Sequence, residues 1–297
     1  MDTTKKPLGV VTMVYGDHFF LKRWYDYYAA QVGAENLYIF SHGPDPEHDR
    51  IAPGANVIHV PRDPTMYRFD RRRWNMLSQF VSGMFAYYNW MILSDVDEIV
   101  VIDPDAAPTI LDYMDQHHAD YDTAPENIAP LCLELVHYPE DEREPIEDGV
   151  PILSRRRTFR PNRNYSKPCL VRSPAKWRAG GHANSLNRRH LPDHMYLLHL
   201  KYFDCAVFND RAETKDRDIR QTDGLGENFA RMDSWYQTDA AHQQILDTLP
   251  FAGEDIELTA IRQKMLEQVD MGRGRFVYGG GKAKNLYRIP ARFGSVF

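Results

Sequence analysis

The 297-residue chain is 43% apolar and 26% charged, with a formal net charge of −6. These totals suit a water-soluble α/β protein with ample chain for a core, and they argue against a general nucleic-acid binder. No run reaches the roughly 18 apolar residues that cross a bilayer, the polar start Met1 to Pro7 does not read as a signal peptide, and three widely spaced cysteines (Cys132, Cys169, Cys205) suit a reducing cytoplasm.

Leu8 to Tyr15 predicts a first buried strand, broken by Gly16 and Asp17. Phe19 to Gln31 follows with Phe20, Trp24, Tyr27 and Tyr28 at helical spacing. Asn36 to Phe40 predicts a second strand that runs into a loop, Ser41 to Pro46, and Val57 to Val60 a short third strand. From Asp70 to Tyr88 the residues Trp74, Leu77, Val81, Met84, Phe85 and Tyr88 form one apolar stripe, a helix that Asp70 is placed to cap. Trp90 to Leu93 is a fourth strand. This alternation predicts a doubly wound parallel sheet. It carries no Gly-x-Gly-x-x-Gly and no Walker-type loop, so phosphates bound here need another source of positive charge.

Past residue 100 the pattern is less regular. It predicts a helix over Pro104 to His118, a strand over Leu131 to Tyr138, an acidic loop from Glu140 to Gly149, and strands at Pro168 to Arg172 and Tyr196 to Tyr202 flanking Gly180-Gly181. Late helices are expected over Ala240 to Leu249 and Asp255 to Gln268. Charge is uneven. Met271 to Phe297 holds six basic residues and no acid, with a glycine-rich stretch (Gly272, Gly274, Gly279 to Gly281) that reads as flexible. Arg155, Arg156 and Arg157 form a second basic run with Arg160, Arg163 and Lys167. Solvated surface explains such runs most simply, with contact to an anionic ligand or membrane face as the alternative.

The fourth strand ends in Ser94-Asp95-Val96-Asp97-Glu98. A buried strand delivers such acids to the rim of a sheet, where α/β proteins hold their ligands. In extended backbone Asp95 and Asp97 point the same way, about 6–7 Å apart, and like charges so held call for a cation. Hard oxygen donors favour Mg²⁺ or Mn²⁺, whose open positions substrate phosphates fill. The competing reading is a solvated turn.

The order of these pieces resembles a GT-A fold glycosyltransferase: a first strand near the N-terminus, the helix Arg71-Arg72-Arg73-Trp74-Asn75, the strand ending Asp-Val-Asp-Glu, then Lys167 to Arg172, Gly180-Gly181-His182 and Leu198-His199-Leu200-Lys201-Tyr202. It is most similar to bacterial enzymes related to glycosyltransferase family 2, over roughly residues 8 to 205. That resemblance implies a catalytic domain over 1–205, with a nucleotide-sugar half (1–100) and an acceptor half (101–205), and a helical, basic extension over 206–297. It implies a nucleotide-sugar donor, UDP-hexose first, a glycan or lipid-linked acceptor, and Mn²⁺ or Mg²⁺ held by Asp95 and Asp97 with His199 as a further ligand. Lys201 shares the expected strand face of His199, and Lys167, Arg172 and Lys201 are candidates for charge around the diphosphate. Histidine stands at His182 where related enzymes carry an acid, which makes it the candidate general base, with Glu134 and Asp193 as substitutes. Tyr15 and Ser41, at the ends of the first two strands, are placed to meet the base and ribose. Arg72, Asn75 and Gln79, at near-helical spacing, are candidates for the sugar or diphosphate.

Two rivals share these residues: a metal-dependent phosphoester or nucleotide hydrolase, and a protein that binds nucleotide-sugars without turnover. The location expected is cytoplasmic, with peripheral contact at the inner membrane face through the basic C-terminal stretch as an option.

Overall fold

The computed structural model describes residues 2–62, 68–120, 123–186, 188–211, 239–266, 268–270, 276–279 and 283–297. The first half runs β1 (Lys6–Val14), α1 (His18–Val32), β2 (Leu37–His42), α2 (Pro46–Ile51), β3 (Asn56–Val60), α3 (Phe69–Met84), β4 (Tyr88–Leu93) and β5 (Glu98–Ile102). The second half adds α4 (Ile110–His118), β6 (Asn127–Ile128), β7 (Leu131–Val136), β8 (Thr158–Pro161), β9 (Leu170–Val171), β10 (Met195–Tyr202), α5 (Asp239–Thr248), β11 (Phe251–Asp255), α6 (Leu258–Gln263), β12 (Gln268–Asp270), β13 (Phe276–Tyr278) and β14 (Leu286–Arg288).

Among the described residues these strands form two six-stranded sheets and a β12–β13 hairpin. In the first sheet β3, β2, β1 and β4 are parallel neighbours in that order, and short β9 and β6 continue past β4, with β9 antiparallel to both. The second has the order β11-β14-β8-β7-β10-β5, with β5 antiparallel to β10. β1 shows why the first sheet forms. Its Leu8, Val10 and Val14 pack in one core with Trp24 and Tyr28 of α1, while Val11 and Met13 pack in another with Trp74, Leu77 and Val81 of α3. A strand covered on both faces needs apolar side chains at successive positions, which is the run seen in the sequence.

Several boundaries differ from expectation, each for a local reason. Asp70 does not cap α3: the helix opens at Phe69 after Arg68, a left-handed residue with no side-chain cap bond, and Asp70 sits in the first turn beside Arg73. The helix stops at Met84 because Tyr88 enters β4, where its hydroxyl donates to Asn36. The stretch after Ser41 is not all loop. Asp45 accepts from the Glu47 N–H and Pro46 occupies the first turn, so α2 forms there. α4 starts only at Ile110, where Thr109 accepts from the Asp112 N–H. The strand expected over Pro168 to Arg172 shortens to Leu170–Val171, and the last helix to Leu258–Gln263.

The C-terminal region adds strands as well as helices, since β11 and β14 belong to the sheet that holds β5. The described part of its end is packed in place: Phe293 is fully buried and the Leu153 N–H donates to the Phe297 carbonyl. Arg288 pairs with Asp141 and Arg292 with Asp103. Most of the glycine-rich stretch, with Arg273, Arg275 and Lys282, lies outside the described residues. The mid-chain basic run is no surface patch either, because Arg156 is buried against Asp204, Arg160 holds Glu134, and Lys167 is buried between two acids. No helix among the described residues is long and apolar enough to cross a membrane.

Candidate active site

Open parallel sheets bind ligands outside the carboxyl ends of their strands, where the strand order reverses. Here that point lies between β1 and β4. β1 leads into Tyr15-Gly16-Asp17 and β4 into Ser94 to Asp97, so two acidic strand ends share one crevice.

The Asp-x-Asp-Glu motif is the joint between the two sheets. β4 ends in the first sheet at Leu93 and β5 begins in the second at Glu98. The Glu98 N–H donates to the Asp95 carbonyl, and the Ser94 hydroxyl to the Glu98 carbonyl. The backbone is therefore turned, not extended, which corrects the expectation that Asp95 and Asp97 project together. They have different partners.

Asp95 faces inward. One oxygen lies 2.9 Å from Arg73 and the other 3.0 Å from Lys167. Lys167, from the segment before β9, is buried and also lies 2.6 Å from Glu98. Burial pushes Asp95 up, but Arg73 and Lys167 outweigh it and hold its carboxyl at about 2. Glu98 goes the other way: burial, opposed by Lys167 and reinforced by the Asp95 charge, raises it to about 7. Burial also works against the Lys167 ammonium, yet two carboxylates raise its pKa. Two carboxylates thus share one buried ammonium, and Asp95 holds the larger share of the negative charge. The second oxygen of Glu98 has no hydrogen-bond partner among the described residues.

Asp97 faces the crevice. Arg211 donates to it at 2.6 Å and clasps Asp17 with two further bonds of 2.8 and 2.9 Å, its guanidinium lying 4.4 Å from the centre of the Phe20 ring. One cation therefore bridges the ends of β1 and β4. Asp17 holds a left-handed backbone (φ 50°), a conformation of some cost for an aspartate, and its clasp on Arg211 accompanies it.

His199 reaches the same region from β10. It pairs in register with Glu98 of β5 and Glu134 of β7, and the N–H of the next residue, Leu200, donates to the Asp97 carbonyl. Its Nδ1 lies 3.1 Å from Glu134, and its ring stacks on Tyr165 at 4.1 Å. A carboxylate behind one imidazole nitrogen is how ligating histidines are oriented, with the other nitrogen presented. Glu134 also accepts from Arg160 at 2.5 Å and Asn162 at 3.0 Å. Burial raises it, but His199 and Arg160 prevail and bring it to about 2.

The donor set tests the expected metal shell. Asp97 and His199 suit a cation by donor type, a carboxylate held by the Arg211 guanidinium and an imidazole oriented by Glu134, and the Leu200 N–H joins their backbones. Asp95 does not, because Arg73 and Lys167 already satisfy both oxygens. The ligating atoms of all three are not gathered within 4.8 Å; among the described residues a cluster that tight occurs at His18, Asp45 and His48.

The remaining candidates are dispersed. His182 follows Gly181, whose left-handed backbone lies so close to the Trp74 ring that a Cβ there would overlap it. His182 Nδ1 sits 2.7 Å from the Asn164 carbonyl and so carries the proton, leaving a lone pair on Nε2. Burial, aided by Lys167, lowers its pKa to about 4. Asp193 lies before β10, at the opposite end from His199, paired with Arg262, and so is no substitute base. Lys201 lies within the bulge between His199 and Tyr202 that breaks the alternation, and its ammonium is 5.0 Å from the centre of the Tyr202 ring. Ser41 is fully buried, donating to the Gly43 carbonyl and bonded to His48, so its hydroxyl is not presented to a ligand. Tyr15 is at the rim with Arg62 against one ring face. The Nε of Arg172 donates to the Ala124 carbonyl, and Gln79 donates to the Asn75 carbonyl within α3. Arg72 and Asn75 line a separate cavity of about 980 Å³ with Arg68, Arg71, Lys176 and Arg178.

Sequence reasoning misses Arg73, Asp17 and Arg211 as site residues. Arg73 is visible as one of three consecutive arginines, and helical phase is what singles it out. Nothing in the sequence marks Arg211.

No family model matches the chain, and no curated protein matches it. Among solved structures, a mannose-1-phosphate geranyltransferase from Thermus thermophilus aligns over 97% of this chain and 76% of its own, at 12% identity and a TM-score of 0.26.

Proposed function

We propose that the crevice between β1 and β4 binds a nucleotide-sugar, a UDP-hexose first, and that the protein transfers the sugar to a glycan or lipid-linked acceptor. The observation that carries this reading is the pair of strand-end carboxylates, Asp17 and Asp97, holding one cation between them at the reversal point of a parallel sheet. A metal–diphosphate complex is a cation-bearing ligand suited to that place. Mn²⁺ or Mg²⁺ held by Asp97 and His199 would supply Lewis-acid stabilisation of the departing nucleoside diphosphate. The Arg211 guanidinium beside Asp97 would be placed to bind phosphate of such a ligand. Lys167 and Arg73 keep Asp95 neutralised and so fix the turn that aims Asp97. Tyr15, at the rim, is the candidate to meet the base.

His182 takes the acceptor proton at Nε2. A pKa near 4 makes it a weak base, roughly 3 units or about 4 kcal/mol from one matched to neutral pH. Glu134 is weaker still and already accepts three hydrogen bonds, so His182 is the better placed of the two. The basic cavity at Arg72 and Asn75 suits the anionic part of the acceptor.

Thermal shift with UDP, GDP, CMP and ADP, each with and without Mn²⁺, tests the donor site. One nucleotide should stabilise the wild type only with metal, and Asp97→Ala should abolish that shift. A wild type indifferent to every nucleotide would end the transferase reading. Transfer by His182→Gln should fall about 10²–10⁴-fold with the nucleotide shift kept; unaltered transfer would remove His182 as base.

A further inference from the structure

A second group of metal-binding side chains stands outside this network, where β1 and β2 end. His18 is the first residue of α1, Asp45 precedes α2, and His48 lies within α2. One oxygen of Asp45 is 2.8 Å from His18 Nε2 and 3.3 Å from His48 Nε2, and one ligand atom from each residue lies within 4.8 Å of the other two. Donors bound to a tetrahedral Zn²⁺ at 2.0–2.2 Å are separated by roughly 3.3–3.5 Å. The Asp45–His48 separation already matches that spacing, and all three atoms lie within 4.8 Å of one another.

The Ser41 hydroxyl gives its single hydrogen to the Gly43 carbonyl at 2.7 Å, so toward His48 Nδ1, 2.8 Å away, it accepts. His48 therefore carries its proton on Nδ1, and in the neutral ring Nε2 presents a lone pair. That lone pair faces the Gly16 carbonyl at 3.0 Å and the Asp45 carboxylate at 3.3 Å. Gly16 adopts φ +54° and Asp17 φ +50°, two successive left-handed residues in the turn that holds this carbonyl. His48 is 1% exposed, so water does not separate these electron-rich atoms freely. A bound cation reconciles them.

We propose that His18, Asp45 and His48 bind one Zn²⁺ ion, with the Gly16 carbonyl beside it. Two imidazoles and a carboxylate suit a borderline d-block ion better than Mg²⁺. The hydroxyl of Ser41 behind His48 Nδ1 fixes the tautomer that ligation needs. The ion ties the turn after β1 to α2 and holds the crevice wall from which Asp17 reaches Arg211. It is separate from the cation proposed at Asp97.

The test uses full-length, tag-free protein stripped with chelator and titrated with Zn²⁺, and with Co²⁺ as a spectroscopic probe. The wild type should bind one Zn²⁺ per chain, gain melting temperature, and show with Co²⁺ the visible absorption of a tetrahedral site. His18→Gln, at a half-exposed position that should not disturb folding, should weaken Zn²⁺ binding at least about 100-fold. Asp45→Asn, which keeps the helix cap, should weaken it as well. Asp97→Asn should leave Zn²⁺ affinity unchanged. The proposal is overturned if the wild type binds Zn²⁺ no more tightly than His18→Gln does. It is equally overturned if Asp97→Asn is the variant that loses the ion. None of these outcomes depends on whether a nucleotide binds the crevice.

Discussion

On the inner side of the turn at residues 94–97, Asp95 is fixed between Arg73 and Lys167; on the outer side, Asp97 shares one guanidinium with Asp17 across a crevice. The first carboxylate has both oxygens satisfied by cations from α3 and the segment before β9, and Glu98 presses on the same lysine. Taking such charges out of water costs several kcal/mol per ion, so the cluster persists only while every member is matched. The second is less exposed, at 13% against 24%, but it shares the Arg211 guanidinium with Asp17 where two strands end at the crevice, so a ligand's cation can take that guanidinium's place. The contrast teaches that one motif holds two jobs: Asp95 holds the turn and Asp97 meets the ligand.

The largest effect should come from breaking the inner side. Lys167→Met leaves Asp95 and Glu98 beside each other with Arg73 alone to balance them, and should cost about 3–5 kcal/mol in urea unfolding. Adding Glu98→Gln should recover part of that loss, because residues in one network are not additive. If Lys167→Met costs less than about 1 kcal/mol, the inner cluster does not hold the joint between the sheets.

Much of this arrangement can be read from the residues, and the limits have physical causes. β1, α1, β2, β3, α3 and β4 announce themselves by period, since apolar runs and a 3.6-residue stripe survive without tertiary context. β5 escapes notice because Glu98-Ile99-Val100-Val101-Ile102 follows the acids with only a tight turn between, so the run reads as the tail of the motif. For the same reason Asp95 and Asp97 look extended. Lys167 and the arginines near it read as solvated surface because their partners lie far away in sequence, Asp95 being 72 residues from Lys167 and Asp204 being 48 from Arg156. Arg211 to Asp97 is a separation of 114 residues that no local pattern encodes. His199 stands out by its place in a strand, but the carboxylate that orients it comes from the pairing of β10 with β7.

A subtler effect separates the two sides by pH. Glu98 has a folded pKa of about 7 against an ordinary 4.5, so the fold binds its proton more tightly than the unfolded chain does. The stability this contributes is complete below pH 4.5 and is lost as pH rises through about 7. Asp95, held at about 2 against 3.8, works in the opposite sense: its contribution is present above 3.8 and disappears as pH falls toward 2. Glu98→Gln should therefore be more stable than wild type at pH 8, by on the order of 2 kcal/mol, with the advantage gone below pH 4.5. Urea midpoints measured from pH 4 to 8.5 would show this. A variant less stable than wild type across the whole range would mean that Glu98 acts chiefly as an ionised partner of Lys167.

The smallest change in stability should come from the outer side. Arg211, Asp17 and Asp97 are 20%, 10% and 13% exposed against 4% and 1% for Lys167 and Glu98, so Arg211→Ala should cost less than Lys167→Met, about 1–2 kcal/mol. Its value lies in the second readout. With the bridging guanidinium gone, Asp97 and Asp17 face each other across the crevice, and a divalent ion no longer competes with a resident cation. Mn²⁺ alone should then bind severalfold more tightly to Arg211→Ala than to wild type, while the extra stabilisation by nucleotide with Mn²⁺ falls, because Arg211 is the group expected to bind phosphate. Adding Asp97→Asn to this variant should erase the gain in Mn²⁺ affinity. If Arg211→Ala leaves Mn²⁺ binding unchanged, the outer carboxylate is not the metal's seat, and both sides of the turn serve the fold alone.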